Sequence, residues 1–240
     1  MLRCAALALL AAAVPAAAEN YCFGFLNAHA ERKQIPDAEA QEIQKQHLAH
    51  LERMGMEGKL LAAGPILTPG GPRGILIYRC SSMAEAVGWA SADPAVQQKR
   101  LAVEVHRLNG PDGVGEPLMT QIRKDPKTKY EMVRLPLVIL RPTAKWQGAG
   151  PAELIREHDS RMTALQSEGK TRMRGRFAGD PGQPTDPARP LGLIVFSAMP
   201  LEEASALVAQ DALVREGYAK ADAWLWMVAN EVIPPAAPAR

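Results

Sequence analysis

The sequence has few cysteines, few aromatic residues and no surplus of either charge. Three cysteines in 240 residues are too few for a disulfide-dense scaffold or a structural zinc cluster. Lys and Arg number 28 against 26 Asp and Glu, so the near-neutral chain gives no reason to expect nucleic acid or an acidic membrane as a partner. Hydrophobic residues make up 47% of the chain, which excludes a wholly disordered protein.

The N-terminus has the pattern of a secretory signal. A short basic start, residues 1–3, precedes an unbroken apolar run, residues 4–14, that is too short to span a bilayer. Small residues ending at Ala18 then lead to Glu19, which predicts cleavage after Ala18. The alternative is a buried N-terminal helix. We expect residues 1–18 to be removed and the mature protein to be periplasmic or secreted, with no membrane association.

The rest of the chain contains an internal repeat. Ile43–Gly64 aligns without gaps on Leu154–Gly175, and Gly74–Val96 aligns on Gly192–Val214. Two blocks in the same order indicate a duplication. We therefore divide the chain into repeat 1 (19–110), a Gly/Pro-rich linker (111–130), repeat 2 (131–232) and a short tail (233–240).

Hydrophobic periodicity predicts the order β-α-β-β-α-β in each repeat. The predicted strands are 21–27, 60–63, 74–79 and 102–108 in repeat 1, and 135–140, 171–174, 192–197 and about 223–228 in repeat 2. This order is that of an α+β, ferredoxin-like domain, whose helices cover one face of an antiparallel sheet. The other face is apolar, so we expect the two sheets to pack face to face as a monomeric, intramolecular pseudo-dimer.

The same topology bears on two cysteines that remain after signal cleavage. The first and third strands are antiparallel neighbours, so Cys22, near the start of one, should lie close to Cys80, at the end of the other. An even pair in an oxidising compartment favours a disulfide, and two separate buried thiols are the alternative.

The repeated residues carry a resemblance to the YCII-related (YciI-like) family of the dimeric α+β barrel superfamily. The family pattern appears in repeat 1 as His47, Gly58, Gly64-Pro65 and Asp93-Pro94. Repeat 2 keeps His158, Gly169, Gly175 and Asp211, but Arg176 and Ala212 replace the prolines. The resemblance implies a ferredoxin-like fold, usually built as a homodimer, and a His/Asp active-site pair. A few relatives look like cofactor-free enzymes that act on small cyclic or chlorinated compounds.

Four residues form the candidate catalytic site: His47 and Asp93, His158 and Asp211. Each histidine lies on the apolar stripe of the first helix of its repeat, where a buried imidazole needs a hydrogen-bond partner. A carboxylate on one imidazole nitrogen would fix the tautomer and make the other nitrogen a better base. We expect proton transfer without a cofactor, as in an isomerase or lyase, on a small molecule that the sequence does not identify.

Several alternatives stay open. The histidines could be structural, and Asp93 before Pro94 is also a good helix N-cap. The protein could be a non-catalytic periplasmic module that binds a ligand or a protein, or only repeat 1 could be active. His47 and His50 could share a metal, but Arg161 replaces the second histidine in repeat 2, so we expect no metal site. The basic run 170–176 could be a solvated sheet edge or an anion site beside the second cleft.

Overall fold

The computed structural model describes residues 20–111, 113–125, 127–179 and 189–233. The predicted signal segment, most of the insertion before residue 189 and the tail beyond residue 233 lie outside the described residues. None of the helices among the described residues is both long enough and apolar enough to cross a bilayer.

Both repeats have the predicted α+β order, with one added short helix each. Repeat 1 comprises β1 (Asn20–Ala28), α1 (Asp37–Met56), β2 (Leu60–Pro65), β3 (Gly74–Arg79), α2 (Met83–Ser91), α3 (Pro94–Gln97) and β4 (Leu101–Asn109). Repeat 2 comprises β5 (Met132–Pro142), α5 (Ala152–Ser167), β6 (Thr171–Ala178), β7 (Gly192–Phe196), α6 (Leu201–Ala209), α7 (Ala212–Arg215) and β8 (Ala219–Ala229). The predicted fold class is confirmed.

The two four-stranded sheets join edge to edge as well as facing each other. The strand order is β2-β3-β1-β4-β6-β7-β5-β8, a single antiparallel sheet in which β4 pairs with β6. Ile66, just after β2, bridges to Trp226 on β8, and the Leu67 N–H donates to the carbonyl of Leu225 at 2.8 Å. The sheet therefore closes on itself as a barrel. The sequence predicted that the two sheets face each other, but not that their edge strands are joined.

The repeated glycines Gly64 and Gly175 explain how the repeats fit together. A Cβ on Gly64 would lie 1.9 Å from the carbonyl oxygen of Met227, and one on Gly175 would lie 2.8 Å from that of Asn109. Both glycines therefore allow the main chain of one repeat to approach that of the other. The two close approaches are related by the internal pseudo-symmetry, because each brings the second strand of one repeat against the last strand of the other.

The barrel interior is one apolar core that draws on both repeats. Its fully buried members include Phe23, Phe25, Ile75 and Leu108 from repeat 1 and Leu135, Leu137, Val195 and Trp226 from repeat 2. Trp224 packs against the same cluster, so both tryptophans of β8 contribute to this core. Separate clusters lie between each sheet and its helices.

The predicted linker contains a helix, α4 (Glu116–Lys124), which the sequence analysis missed. Leu118 and Met119 are buried, and Ile122 packs against the barrel core. The composition of the linker concealed this apolar face because Gly and Pro residues flank it.

The predicted disulfide is present between Cys22 and Cys80. Their Cα atoms are 5.8 Å apart, and the two cysteines are separated by 58 positions in the sequence. It ties β1 to the end of β3, as the antiparallel register predicts, because Cys22 is paired with Tyr78.

Candidate functional site

His47 is held by the buried face of α1. The buried residues of this helix are Ile43, His47, His50 and Met54, spaced so that they face the sheet. The His47 side chain is 10% exposed, and its Nδ1 lies 2.6 Å from Oδ2 of Asp93. The structure thus brings together two residues that are 46 positions apart in the chain.

Asp93 has two functions that the sequence analysis treated as alternatives. Its Oδ1 accepts a hydrogen bond from the main-chain N–H of Ala95 at 2.8 Å, so it is the N-cap of α3, with Pro94 in the first turn. Its other oxygen binds His47. Because one oxygen serves each partner, a carboxylate that is only 1% exposed has both oxygens hydrogen-bonded.

Repeat 2 builds the same arrangement from His158 and Asp211. The His158 Nδ1 lies 2.7 Å from Oδ2 of Asp211, while Oδ1 accepts from the N–H of Leu213 at 3.1 Å. Asp211 is fully buried. The loss of the proline after Asp211 leaves the geometry intact, because the cap needs only the carboxylate. The catalytic role of all four residues stays a prediction.

The carboxylates determine which imidazole nitrogen is left for a ligand. An ionised carboxylate only accepts hydrogen bonds, so Nδ1 of each histidine must carry a proton. The neutral imidazole then has an unprotonated Nε2, and within the described part of the chain no hydrogen bond reaches either Nε2. Each imidazole is therefore set up to accept a proton at Nε2.

Each imidazole lines a cleft. His47 lines a cleft of about 1000 Å³ between α1, β2 and α4, whose apolar wall includes Leu48, Leu51, Leu118, Ile122 and Met132. His158 lines a smaller cleft of about 480 Å³ beside β6, with Trp146, Ile155, Arg174, Arg176 and Arg189 among its lining residues. Both volumes are in the range of small-molecule sites.

His50, the possible partner of His47 in a metal site, has both nitrogens occupied. Its Nε2 lies 3.1 Å from the carbonyl oxygen of Trp89, and Arg53 donates to its Nδ1 at 2.8 Å. Burial lowers the pKa of His50. The negative charge of Asp93 raises this pKa, and the positive charge of Arg53 lowers it, so that the net shift is downward. Among the described residues, no group of three or more His, Cys, Asp or Glu side chains could hold a metal ion.

The basic run 170–176 is only partly a solvated edge. Arg176 pairs with Asn109 of β4, so β6 is not a free edge where it meets repeat 1. Arg174 and Arg176 line the second cleft, but Arg176 forms an ion pair with Asp159, and Arg174 donates to the carbonyl of that residue at 3.3 Å. Asp159 thus binds Arg174 and Arg176, whereas Arg189 lines the cleft with no ion pair among the described residues.

The sequence of repeat 1 is similar to a known protein family. Residues 23–108 match the family model of the YCII-related domain. The first repeat is therefore similar to the YCII-related domain. The match ends within β4 and does not extend into repeat 2, which resembles repeat 1. No curated protein sequence is significantly similar to this chain.

Solved structures with similar folds include chlorite dismutase of Candidatus Nitrospira defluvii. One variant of that enzyme is 14% identical, with a TM-score of 0.54, and the alignment covers 90% of this chain and 94% of the other. A second variant, in complex with cyanide, is 12% identical with a TM-score of 0.53 and coverages of 89% and 91%. A haem-binding protein of Thermus thermophilus is 14% identical, with a TM-score of 0.48 and coverages of 89% and 92%. The likeness to the chlorite dismutases shows a shared dimeric α+β barrel fold.

Two residues that line the first cleft were not singled out from the sequence. Arg32 lies in the loop after β1, and Arg73 directly precedes β3. Comparing the repeats could not reveal them, since that comparison selects residues that the two halves share. Locating the loops at the ends of the predicted strands would have placed Arg73 at the same end of the sheet as Asp93.

Proposed function

We propose that this is an exported protein that binds small molecules in its two clefts and acts on them as a cofactor-free general acid–base enzyme. The observation that carries the proposal is the duplicated pairing of an imidazole Nδ1 with a buried carboxylate, with each imidazole lining a cleft. A histidine kept only for packing would not need a cleft beside it in both repeats.

The arrangement supports a proton-transfer cycle. Nε2 of His47 or His158 takes a proton from a C–H or O–H of the ligand, and the carboxylate stabilises the imidazolium that forms. The proton then returns to a different ligand atom, which is an isomerisation. Alternatively, the electron pair left on the ligand expels a leaving group, which is an elimination. Neither reaction requires an external oxidant or reductant.

Two features support export. The first is the N-terminal pattern of basic start, short apolar run and small residues before Glu19. The second is the bridge between Cys22 and Cys80, since disulfides persist in oxidising compartments. Mass spectrometry of the protein from a periplasmic fraction should give a mature chain that begins at Glu19. Full-length protein confined to the cytoplasm would contradict export.

The alternative function is non-catalytic binding, and haem is one ligand that the clefts could hold. His47 and His158 fit the role of a haem axial ligand, because a metal-binding histidine commonly has its other nitrogen on a carboxylate. Haem would supply iron redox chemistry if bound. Titration with haemin tests this form: a Soret shift that is lost in His47→Gln or His158→Gln would favour haem binding over cofactor-free catalysis.

The main experiment detects proton transfer directly. The mature protein is incubated in D₂O with a panel of small lactones, hydroxylated aromatics and chlorinated cyclic acids, and NMR follows deuterium entry and product formation. His47→Gln, His158→Gln and the double variant are compared with His50→Gln, a buried histidine on the same helix whose nitrogens are both occupied. We expect exchange in the wild type and the His50 variant and its loss in the double variant. Unchanged turnover in the double variant would rule out both bases.

A further inference from the structure

The larger cleft has a charged end and an apolar end. The end of β1 and the starts of β3 and β4 meet at one end of the sheet, because Leu26 pairs with Gly74 and Ala28 pairs with Leu101. Arg73 directly precedes Gly74, and Asp93, which binds His47, lies between α2 and α3, the short helix that precedes β4. The opposite end of β3 is marked by the ion pair of Arg79 with Glu116 on α4, whose apolar face lines the cleft.

Cations gather at the His47 end. Arg32 and Arg73 both line the cleft, and Arg100 lies nearby. Partial burial lowers the pKa of Arg32, and the positive charges of Arg100 and Arg73 lower it further because each repels the Arg32 guanidinium. In the part of the chain that the structure describes, no carboxylate forms an ion pair with Arg32 or Arg73. Glu31, the neighbour of Arg32 in the sequence, forms an ion pair with Lys99 instead.

The remaining lining is largely apolar. Leu48, Met56, Tyr130 and Met132 line this cleft and are among the most exposed large hydrophobic residues of the protein. Glu52 and Gln44 of α1 are the acidic and amide side chains of the lining. Exposed apolar side chains collected around a concave site are typical of ligand binding.

The second cleft differs at these positions. The main-chain N–H of Arg73 donates to Leu26 at 2.6 Å, and the N–H of Leu191 makes the same bond to Leu140 at 2.7 Å, so Leu191 occupies the position of Arg73 in repeat 2. Asp159 replaces Leu48 in the repeat alignment and neutralises Arg176. Arg174 and Arg189 also line the second cleft, so the two clefts both carry positive charge but place it on different elements.

We propose that the larger cleft selects small molecules that combine an apolar body with an acidic group, with Arg32 and Arg73 binding the acid at the end where His47 lies. The apolar body would extend along Leu51 and Leu118 towards α4. This inference rests on the proposed function, since it names the substrate class of the same site. It also predicts that the two clefts bind different ligands, because repeat 2 lacks the arginine at the Arg73 position.

A pair of fluorescent probes tests the charge requirement. The probe 8-anilinonaphthalene-1-sulfonate carries an acid, and N-phenyl-1-naphthylamine has the same apolar body without it. We expect Arg32→Ala and Arg73→Leu to weaken binding of the acidic probe about tenfold each and to leave the neutral probe unchanged. Raising the salt concentration should weaken only the acidic probe. Lys45→Leu, an exposed cation on α1 outside the cleft lining, is the charge-matched control.

The outcomes separate the inference from the proposed function. Equal weakening of both probes, or an acidic probe indifferent to both arginine substitutions, would overturn the inference. Loss of the acidic probe in Arg189→Ala instead would place it in the second cleft and also overturn it. Arginine-dependent binding with turnover unchanged in the double histidine variant would leave the inference standing and refute the acid–base function. The reverse result would refute the inference alone.

Discussion

Asp93 offers a sharp test of the site because its two oxygens have separate functions. Asp93→Ala removes the helix cap, which costs about 1 kcal/mol, and leaves the buried imidazole unsatisfied, which costs about 1–3 kcal/mol more. We expect its free energy of unfolding to fall by about 2–4 kcal/mol. Asp93→Asn keeps the cap, because Asn caps helices as well as Asp does, so its loss should be about 1 kcal/mol.

The same substitution should separate stability from chemistry. In Asp93→Asn the new amide can keep its oxygen on the cap only by turning its NH₂ group towards His47, which favours the tautomer with the proton on Nε2. Asp93→Asn should therefore be nearly as stable as the wild type but inactive as a base in the first cleft. Urea unfolding with unchanged m-values measures the stabilities, and Asp211→Asn provides a replicate in repeat 2. Equal losses of stability in Asp93→Ala and Asp93→Asn, or full activity in Asp93→Asn, would show that the two oxygens of Asp93 do not have these separate functions.

Three further predictions concern the fold and its pH dependence. Reducing the Cys22–Cys80 bridge, which closes a separation of 58 residues, should cost about 4 kcal/mol on the chain-entropy model, and an unchanged urea midpoint after reduction would contradict it. Gly64→Ala should destabilise the protein by more than about 2 kcal/mol because the Cβ meets a main-chain oxygen of β8; Gly88→Ala, with open space around it, should be neutral or stabilising, and similar melting of the two variants would contradict this. Burial lowers the pKa of His50, so the unfolded chain takes up the proton first and stability should fall as the pH drops below about 6.5; His50→Gln should flatten this part of the profile, and identical profiles would contradict it.

The internal repeat explains why so much of the fold could be predicted. Each strand and helix predicted in one repeat could be checked against its counterpart in the other, and β3 was predicted at the bounds that the structure shows. Asp93 and His47 were paired because both recur in repeat 2, and the hydrogen bond between them confirms the pairing. Their catalytic role stays a prediction, because a geometry that permits proton transfer does not establish a substrate.

Features outside the repeat were missed for a physical reason. The pairing of β4 with β6 depends on how two sheets meet, and strand periodicity describes only one strand at a time. The helix α4 contributes to the wall of the larger cleft, yet its short apolar face is hidden among Gly and Pro residues. Arg32 and Arg73 lie in loops, where side-chain positions follow from tertiary structure and not from a sequence period.

The proposed acid–base chemistry requires a buried carboxylate that holds a proton on Nδ1 of His47 and His158 and leaves Nε2 free to act as a base. Nitrogen-15 NMR of the imidazole rings at mildly alkaline pH measures this proton position, with His47→Gln and His158→Gln used for assignment. We expect a protonated Nδ1 and an unprotonated Nε2 for both residues, and a reversal at His47 in Asp93→Asn. A proton on Nε2 of both histidines in the wild-type protein would contradict it.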